Sequence, residues 1–402
     1  MSALKPTQMK VQKLSAVTNN LDNRRKPLNS TQREVITQKG LYPYIGANNI
    51  MGLVDEYLFD EEILCVAEDG GSWGKGEKCA VIYNEKCWVN NHAHVLTAKS
   101  GTHLKYLMYY LNQEDLTQYV TGSTRGKLTK GALDSIPIPL PPLAEQIQIA
   151  QVLDQADRLR QQDRQLLAHY DQLVQAVFVD MFGDPVRNEK GWPMGTIRDI
   201  ITEAKYGTSK PAEDAGTYPY LRMNNLTYEG SMDFKSLKYI NLDEKEEPKY
   251  LVHKGDLLFN RTNSKELVGK TAVYRMEKEM AIAGYLIRVR SNERSNTEYI
   301  SAFLNSKYGK LTLLNMCKSI VGMANINAQE LQNISIPIPP VDLQNQFAEI
   351  VAQIEVQKAT TQQLQLQSEA LFNSLLQQAF RGELGQPKPA GKVVAGQLHL
   401  AL

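Results

Sequence analysis

Several groups of residues have the types and the closeness that chemistry requires. Cys79, Cys87, His92 and His94 put borderline-soft metal ligands into one short stretch. Zinc sites usually hold paired ligands about two to four residues apart, and Cys79 to Cys87 is wider, so packing on buried strands is the expected role. Asp256, Glu266 and Lys270 are the residue types of a metal-dependent nuclease, but a strand edge with a solvated loop explains them as well. GSWGKG at 71–76 has the glycines and lysine of a phosphate loop without its spacing. No HExxH pair occurs. A catalytic residue set and a metal site are therefore not expected in this chain.

Recognition is the chemistry that the remaining polar clusters suit. Arg261, Thr262, Asn263, Ser264 and Lys265 form one loop, and Arg222 stands beside Asn224 and Asn225. Earlier in the chain come Ser72 and Lys75 around Trp73, then Asn90, Asn91 and His92. Thr124, Arg125 and Lys127 lie in TGSTRGKLTKG, and Met323, Asn325 and Asn327 lie in SIVGMANINAQ. Arginine can read guanine through two hydrogen bonds, and asparagine can read adenine in the same way. Serine, threonine and lysine suit phosphate oxygens. Each cluster could also be an ordinary loop held by side-chain turns. As a set they point to binding.

Such loops need a frame, and the frame repeats. A shift of 198 residues lays SIPIPLPPLAEQ (135–146) near SIPIPPVDLQ (335–344) and then holds register without a gap from Leu143 to Phe182. Pro142 and Pro340 fit only before or within a first helical turn. Good helix formers follow them, and Gly183 and Gly382 supply stops. Two helices of some forty residues, each spanning roughly 60 Å, are predicted. Their apolar positions (Leu143, Ala150, Leu153, Leu166, Leu173 and Val177; Val341, Ala348, Leu364, Leu371 and Leu375) form a narrow seam that suits packing of one helix on the other or on a partner. The segments before the helices also match: LYPYIGANNIMG with TYPYLRMNNLTYEG, and EEILCVAEDGGSWGKG with GDLLFNRTNSKELVGK. Strands are predicted at 63–66 and 80–83, and at 257–259 and 271–274. Helices are predicted at 103–113 and 297–314.

The resulting fold class is α+β: two similar globular α/β domains joined by two long antiparallel coiled-coil helices in a pseudo-two-fold internal repeat. The expected divisions are 1–140, a helix over 141–182, 183–337, a helix over 338–382, and a tail over 383–402. The net charge of +1 excludes nothing by itself. The two large segments are mildly basic and the two helical ones mildly acidic. Four cysteines without a CxxC motif, no apolar run of membrane-spanning length and no apolar signal core in MSALKPTQMKVQKL lead to the expectation of a cytoplasmic protein that touches no membrane.

The repeat, together with SIPIPLPPLAEQIQIAQVLD, YPYLRMNN, KGDLLFNRTNSKELVGK and WVNNHAHVL, resembles the DNA-specificity subunit of type I restriction–modification systems over nearly the whole chain. The resemblance implies two target-recognition domains, each reading one half of a split, asymmetric site on double-stranded DNA. It implies helices that set the gap between the half-sites and dock two methylation (M) subunits, with restriction (R) subunits joining through the complex. S-adenosylmethionine, ATP and Mg2+ would then sit on the partner subunits, and this chain would carry no cofactor and no active site of its own. One departure is that Ala144-Glu145-Gln146 of the first helix becomes Asp342-Leu343-Gln344 in the second, which leaves Asp342 as a displaced substitute for Glu145 at the helix start. A competing expectation of another class is a scaffold that holds two partner copies without touching DNA.

Overall fold

The computed structural model of the chain describes residues 10–122, 124–264, 266–320 and 323–384. The chain divides into two compact units, 1–162 with 365–402, and 163–364. A helix runs over Leu143–Phe182 and another over Val341–Phe380, so each unit takes one part of each long helix.

In the first unit a four-stranded antiparallel sheet has the order Thr18–Asn20, Ala93–Ala98, Ile63–Ala67, Ala80–Tyr83. Its central strand Ile63–Ala67 is buried along its whole length. A second sheet pairs Tyr42–Ile45 antiparallel with Ile50–Val54 and parallel with Trp88–Val89. The helix Leu104–Gln113 buries Tyr106, Leu107 and Leu111 in the core that also takes Ile149, Leu153 and Ala156 from one long helix and Phe372, Leu376 and Ala379 from the other.

The second unit repeats this order. Ile201–Tyr206, Leu286–Ser291, Leu257–Asn260 and Thr271–Val273 form the antiparallel sheet. A second sheet has the order Lys238–Ile240, Tyr218–Leu221, Met280–Ile282, Leu251–Val252. The helix predicted over 297–314 is two helices, Thr297–Asn305 and Lys307–Met316. Ser306 divides them: its hydroxyl accepts from the Gly309 N–H at 3.1 Å and donates to the Phe303 carbonyl at 2.7 Å, capping the second helix at its start.

The proline-rich lead-in is a short strand in each unit. Pro137–Leu140 pairs antiparallel with Lys10–Lys13, and Ser335–Pro337 with Met194–Thr196. Proline lacks an N–H, so such strands are edge strands, and tyrosines hold the carbonyls left over. The Tyr106 hydroxyl donates to the Pro139 carbonyl, and the Tyr299 hydroxyl donates to the Pro337 carbonyl at 2.6 Å.

Each long helix is then locked to its unit by a fully buried glutamine. Gln146 donates to the Gly101 and Pro141 carbonyls at 3.0 and 2.8 Å and accepts from the His103 N–H at 3.0 Å. Gln344 donates to the Arg294 and Pro339 carbonyls at 3.2 and 2.8 Å and accepts from the Asn296 N–H and the Ser295 hydroxyl at 3.0 and 3.1 Å. The glutamine, rather than the acidic residue near it, is the anchor.

Buried positions on the second long helix recur every three and four residues through Gln344, Phe347, Val351, Ile354, Lys358 and Thr361, then Ser368 and Phe372. Within the chain, the packing set read from sequence is divided between buried and exposed positions. Ala150 and Leu153 are buried, but Leu143, Leu166, Leu173, Leu364 and Leu371 are 40 to 48% exposed. Val177, Val341, Ala348 and Leu375 lie half-buried. The inward face is turned by one residue because ion pairs and polar groups occupy several seam positions. In the first unit Arg160 pairs with Glu369 at 3.0 Å and with Asp157, and its guanidinium lies 3.7 Å from the centre of the Phe372 ring. In the second unit Lys358 pairs with Asp171, and Phe178 and Phe182 pack on Phe347.

Candidate nucleic-acid interface

Strand ends of the four-stranded sheet set the loops of each unit. In the first unit the Glu68 N–H donates to the His92 carbonyl at 2.8 Å, and the Leu128 N–H donates to the Glu68 carbonyl at 2.7 Å. These bonds draw the loops at 68–75, 90–92 and 124–128 together. Asp69 is at their centre: its carboxylate is 2.7 Å from His92 Nδ1 and 2.8 Å from Arg125 Nη2. Ser72, Lys75, Asn91, Thr124, Arg125 and Lys127 are exposed around it, and His92 is half-buried. Trp73 is buried and donates to the Ala67 carbonyl at 3.2 Å, fixing the glycine-rich loop from beneath.

Beneath this surface Asp22, Glu68 and His94 gather closely enough to suggest a metal site. His94 Nδ1 is 2.6 Å from Asp22 Oδ2, and Nε2 is 2.8 Å from the Leu128 carbonyl. Both ring nitrogens are thus within hydrogen-bond distance of groups of the protein. Arg25 and Lys127 pair with Glu68 at 2.5 and 3.1 Å. Burial alone would raise both carboxyls. Hydrogen bonds from His94 and the Val95 N–H outweigh it at Asp22, and those from Arg25 and Lys127 outweigh it at Glu68, so both stand below their ordinary range. The cluster is a charge network supporting the loops. Cys79 and Cys87 pack in separate cores.

The second unit builds the same frame with other side chains. The Arg261 N–H donates to the Tyr285 carbonyl at 3.0 Å, and the Ile326 N–H donates to the Arg261 carbonyl at 2.9 Å. Arg261 thus holds the place of Glu68, Tyr285 that of His92 and Asn325 that of Lys127. Where Glu68 meets Lys127 in the first unit, Arg261 Nη2 donates to Asn325 Oδ1 at 3.3 Å in the second. The Arg261 guanidinium also lies 4.7 Å from the centre of the Tyr206 ring. Asn263 and Asn325 are half-buried, and Tyr206 and Tyr285 are exposed.

A second cluster centres on Arg222, whose Nη2 donates to the Ser236 carbonyl at 2.8 Å, beside exposed Asn224. Lys270 supports this loop by donating to the Met223 carbonyl at 2.7 Å, and burial holds its amine below the usual lysine range. Asp256 is paired with Arg290 at 2.8 Å, so Asp256 and Lys270 serve separate contacts.

Three candidates read from sequence are buried and hold loops instead of offering a surface. Asn90 accepts from the His92 N–H at 2.7 Å, Asn225 accepts from the Arg222 N–H at 2.9 Å, and Thr262 lies within a short strand. Ser264 follows that strand, and its N–H donates to Asn263 Oδ1 at 2.9 Å. Lys265 and the side chain of Met323 lie outside the described residues. Asp69, Tyr206 and Tyr285 were missed. Asp69 sits between glycine and strand in AEDGG, a turn signal, whereas the two tyrosines join Arg261 only through tertiary structure.

With this geometry established, comparison with known proteins assigns the family. The type I restriction modification DNA specificity domain matches twice, at residues 6–168 and 189–369. The chain belongs to this family. A Haemophilus influenzae protein named type I restriction enzyme specificity subunit S.HindORF215P is 35% identical over 159 residues, 38% of each chain. The EcoKI specificity subunit of Escherichia coli is 29% identical over 299 residues, 68% of this chain and 63% of the relative. The matched stretches thus span less than two thirds of these relatives' own lengths. A crystal structure of a type I restriction–modification S subunit from M. genitalium shares the fold, with a TM-score of 0.62 at 14% identity over 94% of this chain and 99% of that one. Among the described residues no helix is long and apolar enough to cross a membrane.

Proposed function

We propose that the chain is the DNA-sequence specificity subunit of a type I restriction–modification complex and that it reads a bipartite, asymmetric site on double-stranded DNA. The observation that carries this reading is the shared strand frame of the two units, which presents Glu68 and Lys127 in one and Arg261 and Asn325 in the other. Equal frames with unlike side chains suit two half-sites of unlike sequence. The chain supplies recognition; adenine methylation with S-adenosylmethionine, and cleavage driven by ATP with Mg2+, belong to methylation and restriction subunits that assemble with it in the cytoplasm.

The long helices serve in this reading as an antiparallel coiled-coil spacer. Forty residues of helix span roughly 60 Å, long enough to hold readers on successive major-groove faces about 34 Å apart. The leucines exposed at 159, 166 and 173 recur at one heptad and offer the methylation subunits an apolar stripe. A mobility-shift assay with the methylation subunits tests the proposal: one split sequence is preferred, and one base inserted into its gap abolishes the preference. Tolerance of any gap would refute the spacer.

A further inference from the structure

We propose that Arg261 reads a guanine in the half-site bound by the second unit, and that Tyr206 and Asn325 are positioning residues that hold its guanidinium for that contact. The inference rests on the DNA-reading function proposed above and names the base and the residues at one position of the site.

Arginine reads guanine by setting two N–H groups against O6 and N7 in the major groove. A flexible arginine must first be ordered, whereas one already stacked and tethered has less freedom to lose. Arg261 is restrained at both levels. Its N–H and carbonyl are bonded to Tyr285 and Ile326 on opposite sides, and its guanidinium lies over the Tyr206 ring and against Asn325. Tyr206 is itself fixed, because its hydroxyl accepts from the Ala328 N–H at 2.8 Å. The Nε–H is buried without a hydrogen-bond partner, and one Nη2 N–H is given to Asn325. The remaining Nη N–H groups form the fork that a guanine edge accepts. Exposed Tyr206 and Tyr285 leave the arginine partly open.

The backbone near Tyr206 is built for this approach. A Cβ on Gly207 would stand 2.2 Å from the Ile282 carbonyl oxygen and 2.4 Å from that of Ala283. Only glycine lets the segment carrying Tyr206 lie against the one leading to Tyr285. The counterpart position in the first unit carries Glu68, which is engaged by Arg25 and Lys127. A guanine contact from this position of the frame therefore belongs to the second unit.

The test is selection of duplexes randomised across both half-sites by the chain purified with its methylation subunits, for wild type, R261K, R261Q, Y206F, Y206L and N325A. Wild type selects guanine at one position of one half-site. R261Q and R261K lower that selection about 10- to 100-fold and leave the other half-site unchanged, which also reports that the variants fold. Y206F, which keeps the ring but loses the bond to Ala328, weakens the selection less than Y206L, and Y206L and N325A weaken it with a smaller change in overall affinity. A uniform fall in affinity across sequences, with a shallower salt dependence, would make Arg261 a phosphate contact and overturn the inference. Unchanged selection by R261Q would overturn it too while leaving DNA reading intact; absence of any sequence preference in wild type would overturn both.

Discussion

Gln344 should be worth far more to the second unit than a surface glutamine, and replacing it by alanine tests the claim that a buried amide locks each long helix to its domain. Four hydrogen bonds end on this side chain: two donated to the Arg294 and Pro339 carbonyls and two accepted from the Asn296 N–H and the Ser295 hydroxyl. The residue is fully buried, so truncation leaves two carbonyls and an N–H in a place that water enters poorly. A buried polar group stripped of its partner costs about 1–3 kcal/mol. The Ser295 hydroxyl can rotate away, and a water admitted to the vacated space recovers part of the loss, so about 3–5 kcal/mol is expected. For a unit of this size that corresponds to a fall in the melting transition of about 8–15 °C. Urea denaturation against an exposed control, Gln363→Ala, measures the cost. Hydrogen exchange localises it, since the amides at the start of the Thr297–Asn305 helix should lose protection first. A cost below about 1 kcal/mol, or equal loss in the control, would show that the amide network does not hold the junction.

Other expectations follow from the same contacts. Lys358→Ala strands Asp171 and Ser231, its two hydrogen-bond partners; with Asp171 partly exposed, a loss of about 2–3 kcal/mol is expected, and the exchange Lys358→Asp with Asp171→Lys should restore part of it in a double-mutant cycle. Asp22 and Glu68 have carboxyls held below their ordinary values of 3.8 and 4.5. Their stabilisation is complete above those values and is lost as pH falls through the lower folded ones. Urea titrations between pH 3 and 7 should therefore show an acid-dependent loss in the first unit that Asp22→Asn with Glu68→Gln flattens, the double variant also being less stable at neutral pH.

Much of this architecture is written in local chemistry. Proline cannot enter a helix interior, so Pro142 and Pro340 mark where the long helices begin, and Gly183 and Gly382, at φ of +82° and +70°, mark where they end. What local chemistry cannot carry is register. Matching Ile63 with Leu257 pairs the two strands one residue out of step. The backbone bonds instead place Glu68 on Arg261, and one residue reverses every side chain on a strand. The face that the helices bury within the chain is likewise offset from the apolar seam at several positions. Counting only apolar residues selects Leu166 and Leu371, whereas the buried face includes Lys358, Thr361 and Phe372. Polar residues become legible as interior ones only when their partners are known, and those partners stand far away in sequence. Tyr206 was invisible as a site residue for the same reason, since it lies 55 positions from Arg261.

The polar seam has a use that follows from the repeat. Arg160 with Glu369 in the first unit and Lys358 with Asp171 in the second occupy positions related by the same shift of 198 residues, base to base and acid to acid. Asp157 and Glu355, each three residues before the base, repeat as well. An apolar stripe would bury more hydrocarbon, but slid by one heptad it would fit nearly as well, leaving little to choose between registers. Each base meets its acid in one register only, and a slip separates both pairs, at a cost of about 2–3 kcal/mol for the more buried one at Lys358. Duplication gives each unit one such lock. A charge carried on the first long helix in one unit is answered on the second, and in the other unit the order is reversed. The ion pairs therefore favour a defined register, which the spacer of constant length proposed above would require.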